Sequence, residues 1–193
     1  MSCARPIDAA LLADYWLAVL PRSEQEAVEE HLLGCDQCGA RLNEVVALGR
    51  GLQSLARQGS LQMVVSEAFL KCAAEDGLRI REYVPPPGGS VQCTVTAEDD
   101  LVVGRLAANF QGAKQVDLCI LDEMGAEQAR FRDIPLRPDA TGVVFQQSIT
   151  FVKAAPDYKS VVRLVTFDDA GAERLLGEYT FNHRRSLPGP GAW

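Results

Sequence analysis

The sequence predicts an α+β protein: an N-terminal bundle of three to four helices followed by an antiparallel β-sandwich. Three observations carry this expectation. Apolar residues recur at helical spacing through the first 76 residues, and from Val91 they alternate with polar ones. The run Pro85-Pro-Pro-Gly-Gly-Ser90 marks the change between the two patterns. The expected divisions are a helical domain over 1–76, a linker over 77–90, a β domain over 91–183 and a loose tail over 184–193.

The first helix is expected from Asp8, as N-cap, to Leu20. Leu11, Leu12, Tyr15, Trp16 and Val19 follow the spacing of one buried face, and Pro21 ends it. Ser23-Glu-Gln-Glu26 has the form of a capping box opening a second helix, which carries Ala27, Val28, His31 and Leu32 inward and stops at Gly34. A third helix begins within the turn that follows. It runs through Leu42, Val45, Val46, Leu48 and Leu52 to about Leu55, tolerating Gly49 and Gly51 at some cost in stability.

The joint between the second and third helices reads His31-x3-Cys35-x2-Cys38. Imidazole and thiolate are the ligands zinc favours, and a structural zinc site closes with four of them. Cys3 is the only other Cys or His before the first helix, so the set expected is Cys3, His31, Cys35 and Cys38, with Asp8 and Asp14 as oxygen alternatives for the fourth position. A redox dithiol of the thioredoxin kind is the rival reading of Cys-x2-Cys, but that motif follows a strand in a βαβ unit. Four protein ligands leave no open position, so the zinc is expected to be structural. Oxidation of Cys3 with Cys35 or Cys38 to a disulfide would expel it, which makes redox sensitivity a further expectation.

A fourth helix is expected from about Ser60 to Glu75, with Leu61, Val64, Val65, Ala68, Phe69 and Cys72 on one face. That face must find a second surface: the β domain, a second copy of the chain in a homodimer, or another protein. Strands are then expected at 91–95, 101–107, 115–121, 128–134, 143–151, 160–167 and 174–182, with Val143, Phe145, Ile149 and Phe151 lining one face of the longest before the last pair. An internal echo, Val116-x-Leu118-x3-Asp122-x2-Gly125-Ala-Glu127 and Val162-x-Leu164-x3-Asp168-x2-Gly171-Ala-Glu173, marks two hairpins. In each, Asp opens the turn and Gly takes its left-handed position.

Composition narrows the function. With 193 residues, 47% of them hydrophobic and 23% charged, the chain is globular rather than disordered. No apolar run nears the roughly 20 residues that cross a bilayer, so no membrane partner is expected. Asp8 and Asp14 interrupt the N-terminal apolar stretch, which argues against a signal peptide. A cytoplasmic protein follows, and the six cysteines then read as metal ligands and free thiols, with Cys72, Cys93 and Cys119 expected in or near the core. The net charge of −7 argues against direct binding of nucleic acid and leaves a protein partner open. No catalytic constellation is present: two histidines, one given to zinc, leave little for a nucleophile pair, and no phosphate or dinucleotide fingerprint occurs. The acidic pairs Asp99-Asp100, Asp122-Glu123 and Asp168-Asp169 are expected as solvated turns.

Leu11-Leu12-x2-Tyr15, a capped second helix and His31-x3-Cys35-x2-Cys38 together resemble the zinc-binding anti-sigma factor domain, over about two-fifths of the chain. The resemblance implies a helical domain that binds an extracytoplasmic-function sigma factor and blocks its access to RNA polymerase core. It maps the family's zinc ligands onto His31, Cys35 and Cys38, and the N-terminal one onto Cys3, a couple of residues further from His31 than is usual. It also implies that the fourth helix touches the sigma factor, through Leu61, Val64, Val65, Ala68 and Phe69. The small-Gly turn that often follows the family's Tyr is absent, with Ala18 nearest to it. The β domain would then be the sensory or docking part. A second metal site like that of the cupin-bearing relatives is not expected, because His183 is the only histidine after His31.

Overall fold

The computed structural model describes residues 3–137 and 139–186. Among these residues are five helices and nine strands, arranged as helices at the N-terminus followed by two mixed sheets. The chain divides into two units, one up to Leu55 and one from Ala56. The division therefore falls ahead of the expected 77–90 linker, and residues 56–90 belong with the strands.

In the helical unit, α1 (Ala9–Trp16) starts as expected, with the Asp8 carboxylate accepting from Ala10 N–H. It ends earlier than Leu20. Val19 N–H reaches back to Asp14 O and Ala18 N–H to Tyr15 O, the two bonds of a Schellman stop, and Ala18 takes the left-handed position at φ 55°. The left-handed turn that ends α1 is thus formed on alanine.

The capping box is a correction. The N-cap of α2 (Arg22–Gly34) is Pro21, and Ser23 lies inside the first turn. Proline's fixed φ already suits that position, and its carbonyl accepts from Gln25 N–H at 3.0 Å. Glu26 instead pairs with Arg22 one turn back, at 2.9 Å. Ala27, expected inward, is exposed, while Val28 is buried. α3 (Asp36–Arg57) opens in the Cys-x2-Cys turn as expected. Gly49 has a reason to be glycine, since a Cβ there would collide with the Trp16 indole.

The β unit contains the larger corrections. The expected fourth helix is split: Met63–Val65 form β1, and only Glu67–Glu75 form α4. Ser66 divides them, its hydroxyl capping α4 at Phe69 N–H, while the β-branched pair Val64-Val65 joins a sheet. β2 (Ile80–Tyr83) lies inside the expected linker and was not foreseen. The remaining strands are β3 (Ser90–Cys93), β4 (Leu101–Ala107), β5 (Val116–Leu121), β6 (Glu127–Phe131), β7 (Gly142–Gln147), β8 (Tyr158–Phe167) and β9 (Glu173–His183). Ile149 and Phe151, expected on a strand, lie on a short helix α5 (Ile149–Ala154) that Ser148 caps.

One sheet has the order β1-β7-β4-β2 and the other β3-β9-β8-β5-β6. Neither is wholly antiparallel as expected, because β2 runs parallel to β4 and β3 parallel to β9. Leu106, Val143 and Phe145 of the first sheet share one buried cluster with Leu118, Val162, Leu164 and Tyr179 of the second. Both echo hairpins form as read. Asp122 accepts from Met124 and Ala126 N–H, Asp168 from Ala170 and Ala172 N–H, and Gly125 and Gly171 have φ of 82° and 79°.

Asp99 is not a solvated turn residue. It is buried against Arg81, whose guanidinium meets both carboxylate oxygens at 3.1–3.2 Å. Burial alone would raise this carboxyl, but the Thr96 N–H and Arg81 outweigh it and hold it below the usual range. Residues 184–186 are not loose either, since Arg184 and Arg185 both bond Asp157. The rest of the expected tail, 187–193, lies outside the described residues. No helix among the described residues is long and apolar enough to cross a membrane.

Candidate metal centre

Three short pieces of chain converge on one point of the helical unit. Cys3 comes from the extended segment before α1, His31 from the last turn of α2, and Cys35 and Cys38 from the joint where α2 stops and α3 starts. Helical spacing sets much of this locally. His31 and Cys35 are one turn apart on the α2 side, and Cys35 leaves the helix at φ −140°, which turns its thiol toward the start of α3.

The ligating atoms of Cys3, His31, Cys35 and Cys38 all lie within 4.8 Å of one another. Cys3 Sγ is 3.5 Å from His31 Nε2, His31 Nε2 is 3.2 Å from Cys38 Sγ, and the Cys38 and Cys3 sulfurs are 3.9 Å apart. With metal–sulfur bonds of about 2.3 Å and metal–nitrogen bonds of about 2.0 Å, a tetrahedron has edges of about 3.8 Å between sulfurs and about 3.5 Å between sulfur and nitrogen. These three edges are close to that size, and the edges to Cys35 are no longer than 4.8 Å. No disulfide competes for the thiols, since all six cysteines are free. The four residues are positioned to hold one metal ion. Of the oxygen alternatives, neither Asp8 nor Asp14 joins the cluster, and the Asp8 carboxylate is occupied in capping α1.

Around the ligands a set of polar contacts fixes the N-terminal segment. Ile7 N–H points at Cys38 Sγ (3.4 Å), Cys3 N–H donates to Gln37 Oε1 (2.7 Å), and Arg41 donates to Ile7 O (3.1 Å). Such partners orient ligands and tune their basicity. Neither Gln37 nor Arg41 carries a local signal for this role, because it depends on where the segment from Cys3 to Ile7 folds back.

The electrostatics favour thiolate at Cys35. The Cys38 backbone N–H, followed by the neighbouring ligand side chains, draws the Cys35 thiol down to about 7. Partial burial pushes the Cys3 thiol up, and its neighbours Cys35 and Cys38 add to that. A bound cation would displace the protons that these thiols carry. The thiols of the β unit differ: burial pushes Cys93 and Cys119 up to about 11. Cys72, expected near the core, is exposed.

The expected partner-contact residues lie in the β unit, not on one helix face. Leu61 precedes β1, Val64 and Val65 are on β1, and Ala68 and Phe69 open α4. Val65 is buried, Leu61, Val64 and Phe69 are half-buried, and Ala68 is exposed. All but Leu61 line a broad groove of about 860 Å³ that also includes Arg105, Leu136 and Val144.

The molecule is thus a helical unit in which four residues are positioned to hold a metal ion, joined to a β-rich unit. No known family model and no curated protein matches the chain. Among solved structures, the N-terminal domain of phage TP901-1 ORF48 is similar over 55% of this chain and 98% of its own, at 9% identity and a TM-score of 0.31. A likeness at that score carries no argument about fold or function.

Proposed function

We propose that this chain is a cytoplasmic, non-catalytic transcription regulator. Its zinc-held helical unit sequesters an extracytoplasmic-function sigma factor, and its β unit, built as a sandwich, senses a signal or docks a partner. The observation that carries the reading is the convergence of Cys3, His31, Cys35 and Cys38, in the motif through which the chain resembles the zinc-binding anti-sigma domain. Zinc is the ion proposed because a compact set of three thiolates and one imidazole suits it. When bound, it supplies a structural crosslink, with no open position for a substrate. Cys3 anchors the N-terminal segment, His31 the end of α2, and Cys35 and Cys38 the turn into α3.

A second feature supports a protein partner. Leu17, Val19, Leu33, Leu48, Leu52 and Leu55 are exposed, Leu33 by 92%. So many exposed large apolar side chains in one small helical unit are unusual for a surface that stays in water. They extend the contact set beyond Val64, Val65, Ala68 and Phe69, whose groove offers another surface to the same partner.

Co-expression with an extracytoplasmic-function sigma factor encoded beside it, followed by affinity purification, tests this. A stoichiometric complex is expected, lost on Leu48→Asp and on Cys38→Ser. A homodimer that buries Leu48 and Leu52 and captures no sigma factor would overturn the reading in favour of a self-associating scaffold whose metal is purely structural.

A further inference from the structure

Three of the four metal-site residues meet through local structure alone. His31, Cys35 and Cys38 lie within eight consecutive residues at the joint of α2 and α3. Cys3 is different. It precedes His31 by 28 residues and reaches the cluster on a piece of chain that belongs to no helix. Holding so distant a residue at the same point costs chain entropy, which contacts along its segment help to offset.

Those contacts all come from one place. Cys3 N–H donates to Gln37 Oε1 at 2.7 Å, Ile7 N–H points at Cys38 Sγ at 3.4 Å, and the Arg41 guanidinium donates to Ile7 O at 3.1 Å. Gln37, Cys38 and Arg41 occupy the first two turns of α3 at i, i+1 and i+4, so they are neighbours on its surface. Each meets a backbone group of the segment, at Cys3 or at Ile7. Ala4, Arg5 and Pro6 between these ties are exposed. Pro6 fixes its own φ and keeps Arg5 away from the helical region, so the segment runs from one tie to the other without coiling. The Arg41 bond has a charged donor, which makes it the strongest of the three.

We infer that Cys3–Ile7 is a detachable arm, and that Gln37 and Arg41 are positioning residues that dock it on α3 and so deliver the fourth ligand to the metal. With the arm docked, the centre has four protein ligands. With it released, the centre has three, and a fourth position opens to a donor from solution. Arg41 bonds the arm rather than a ligand. It acts through Ile7, whose carbonyl it holds while the Ile7 N–H faces Cys38. The inference rests on the metal centre described above and adds which side chains close it. A surface contact with no such role would affect stability alone, whereas a positioning role couples Arg41 to Cys3.

The test uses the full-length, zinc-loaded protein. Zinc affinity is read by competition with a chelator. The number of bound thiolates is read after exchange of zinc for cobalt(II), whose sulfur-to-metal charge-transfer band grows with each thiolate. Arg41→Met keeps the length of the side chain and removes its donors. It should lower zinc affinity about tenfold, at the lower end of what losing an outer contact costs, because Arg41 is exposed. Arg41→Lys, which keeps a charged donor, should recover most of that loss. The cobalt band of Arg41→Met should fall between those of the parent and of Cys3→Ser. In the Cys3→Ser background there is no thiol to deliver, and Arg41→Met should cost about twofold or less. If Arg41→Met does not fold, Gln37→Ala in the same two backgrounds decides, with a smaller loss expected in the parent. The inference is overturned if both variants bind zinc as tightly as the parent, or if the loss is as large without Cys3 as with it. A parent that binds no metal would overturn the metal centre itself, and this inference with it.

Discussion

Among the described residues of the helical unit only Leu12, Val28 and Cys38 are buried, and Cys38 is one of the four metal-site residues. Every other buried hydrophobic side chain belongs to the β unit, where residues of both sheets interlock around Leu118, Leu164 and Tyr179. The two units therefore solve the same entropic problem by different means. One has a hydrocarbon interior large enough to hold its strands. The other has helices too short to bury much, and its interior is in effect a cluster of three sulfurs and an imidazole. A unit with so small an interior gains from a staple, and the four residues positioned to hold a metal ion are the candidate among the described residues of the helical unit.

The contrast is broken most severely by removing the metal. A strong chelator should abolish the helical signal of residues 9–57 and leave the strands folded, as far-UV circular dichroism and amide dispersion would report. The effect should be as large as the unit's whole stability, since a structural zinc contributes on the order of 10–16 kcal/mol. If the strands unfold together with the helices, the two units are not independent in the way described.

Next in size is a cavity on the other side of the comparison. Leu118→Ala or Leu164→Ala removes a fully buried side chain and should cost about 2–5 kcal/mol in denaturant titrations of the β unit. Metal content should not change. Within the helical unit, Gly49→Ala should destabilise by about 1–3 kcal/mol, because the methyl meets the Trp16 ring. Ala18→Gly should do the opposite by about 1 kcal/mol, relieving the left-handed alanine at the end of α1. Both are read from the thermal transition of the metal-loaded protein.

The smallest effect is a pH dependence confined to the β unit. The folded pKa of His183 is depressed by burial, so the unfolded chain binds its proton first as pH falls. Stability should be full above the ordinary histidine value, fall as pH drops below it, and level off once the folded protein is also protonated. His183→Gln should flatten that decline, and an unchanged pH profile in this variant would show that another group is responsible.

How much of this was legible in the sequence depended on how local each feature is. His31, Cys35 and Cys38 sit within eight consecutive residues, and their spacing on a helix end dictates their convergence. Cys3 was inferable only as the remaining soft donor. Asp122 with Gly125, and Asp168 with Gly171, are complete turns in themselves, so their conformation followed from residue type. The errors fall where a distant segment decides. Met63–Val65 is a strand because β7, some 80 residues later, offers it an edge. Ile80–Tyr83 is too short to announce itself, and gains its role only beside β4. Ser23 has every mark of a cap, but Pro21 two residues earlier claims the position by backbone geometry, and Glu26 finds Arg22 instead. Leu48 and Leu52 continue the apolar stripe of α3 yet stay exposed, although Trp16 packs against Gly49 between them.

The claim on which the comparison rests is that one metal ion, held by four side chains, stands in for a core. Elemental analysis of the purified, reduced protein tests it most directly, with Cys38→Ser run alongside. One equivalent of zinc per chain, absent from the variant together with its helical signal, is the predicted result. A metal-free protein whose helices are nonetheless fully formed would contradict it.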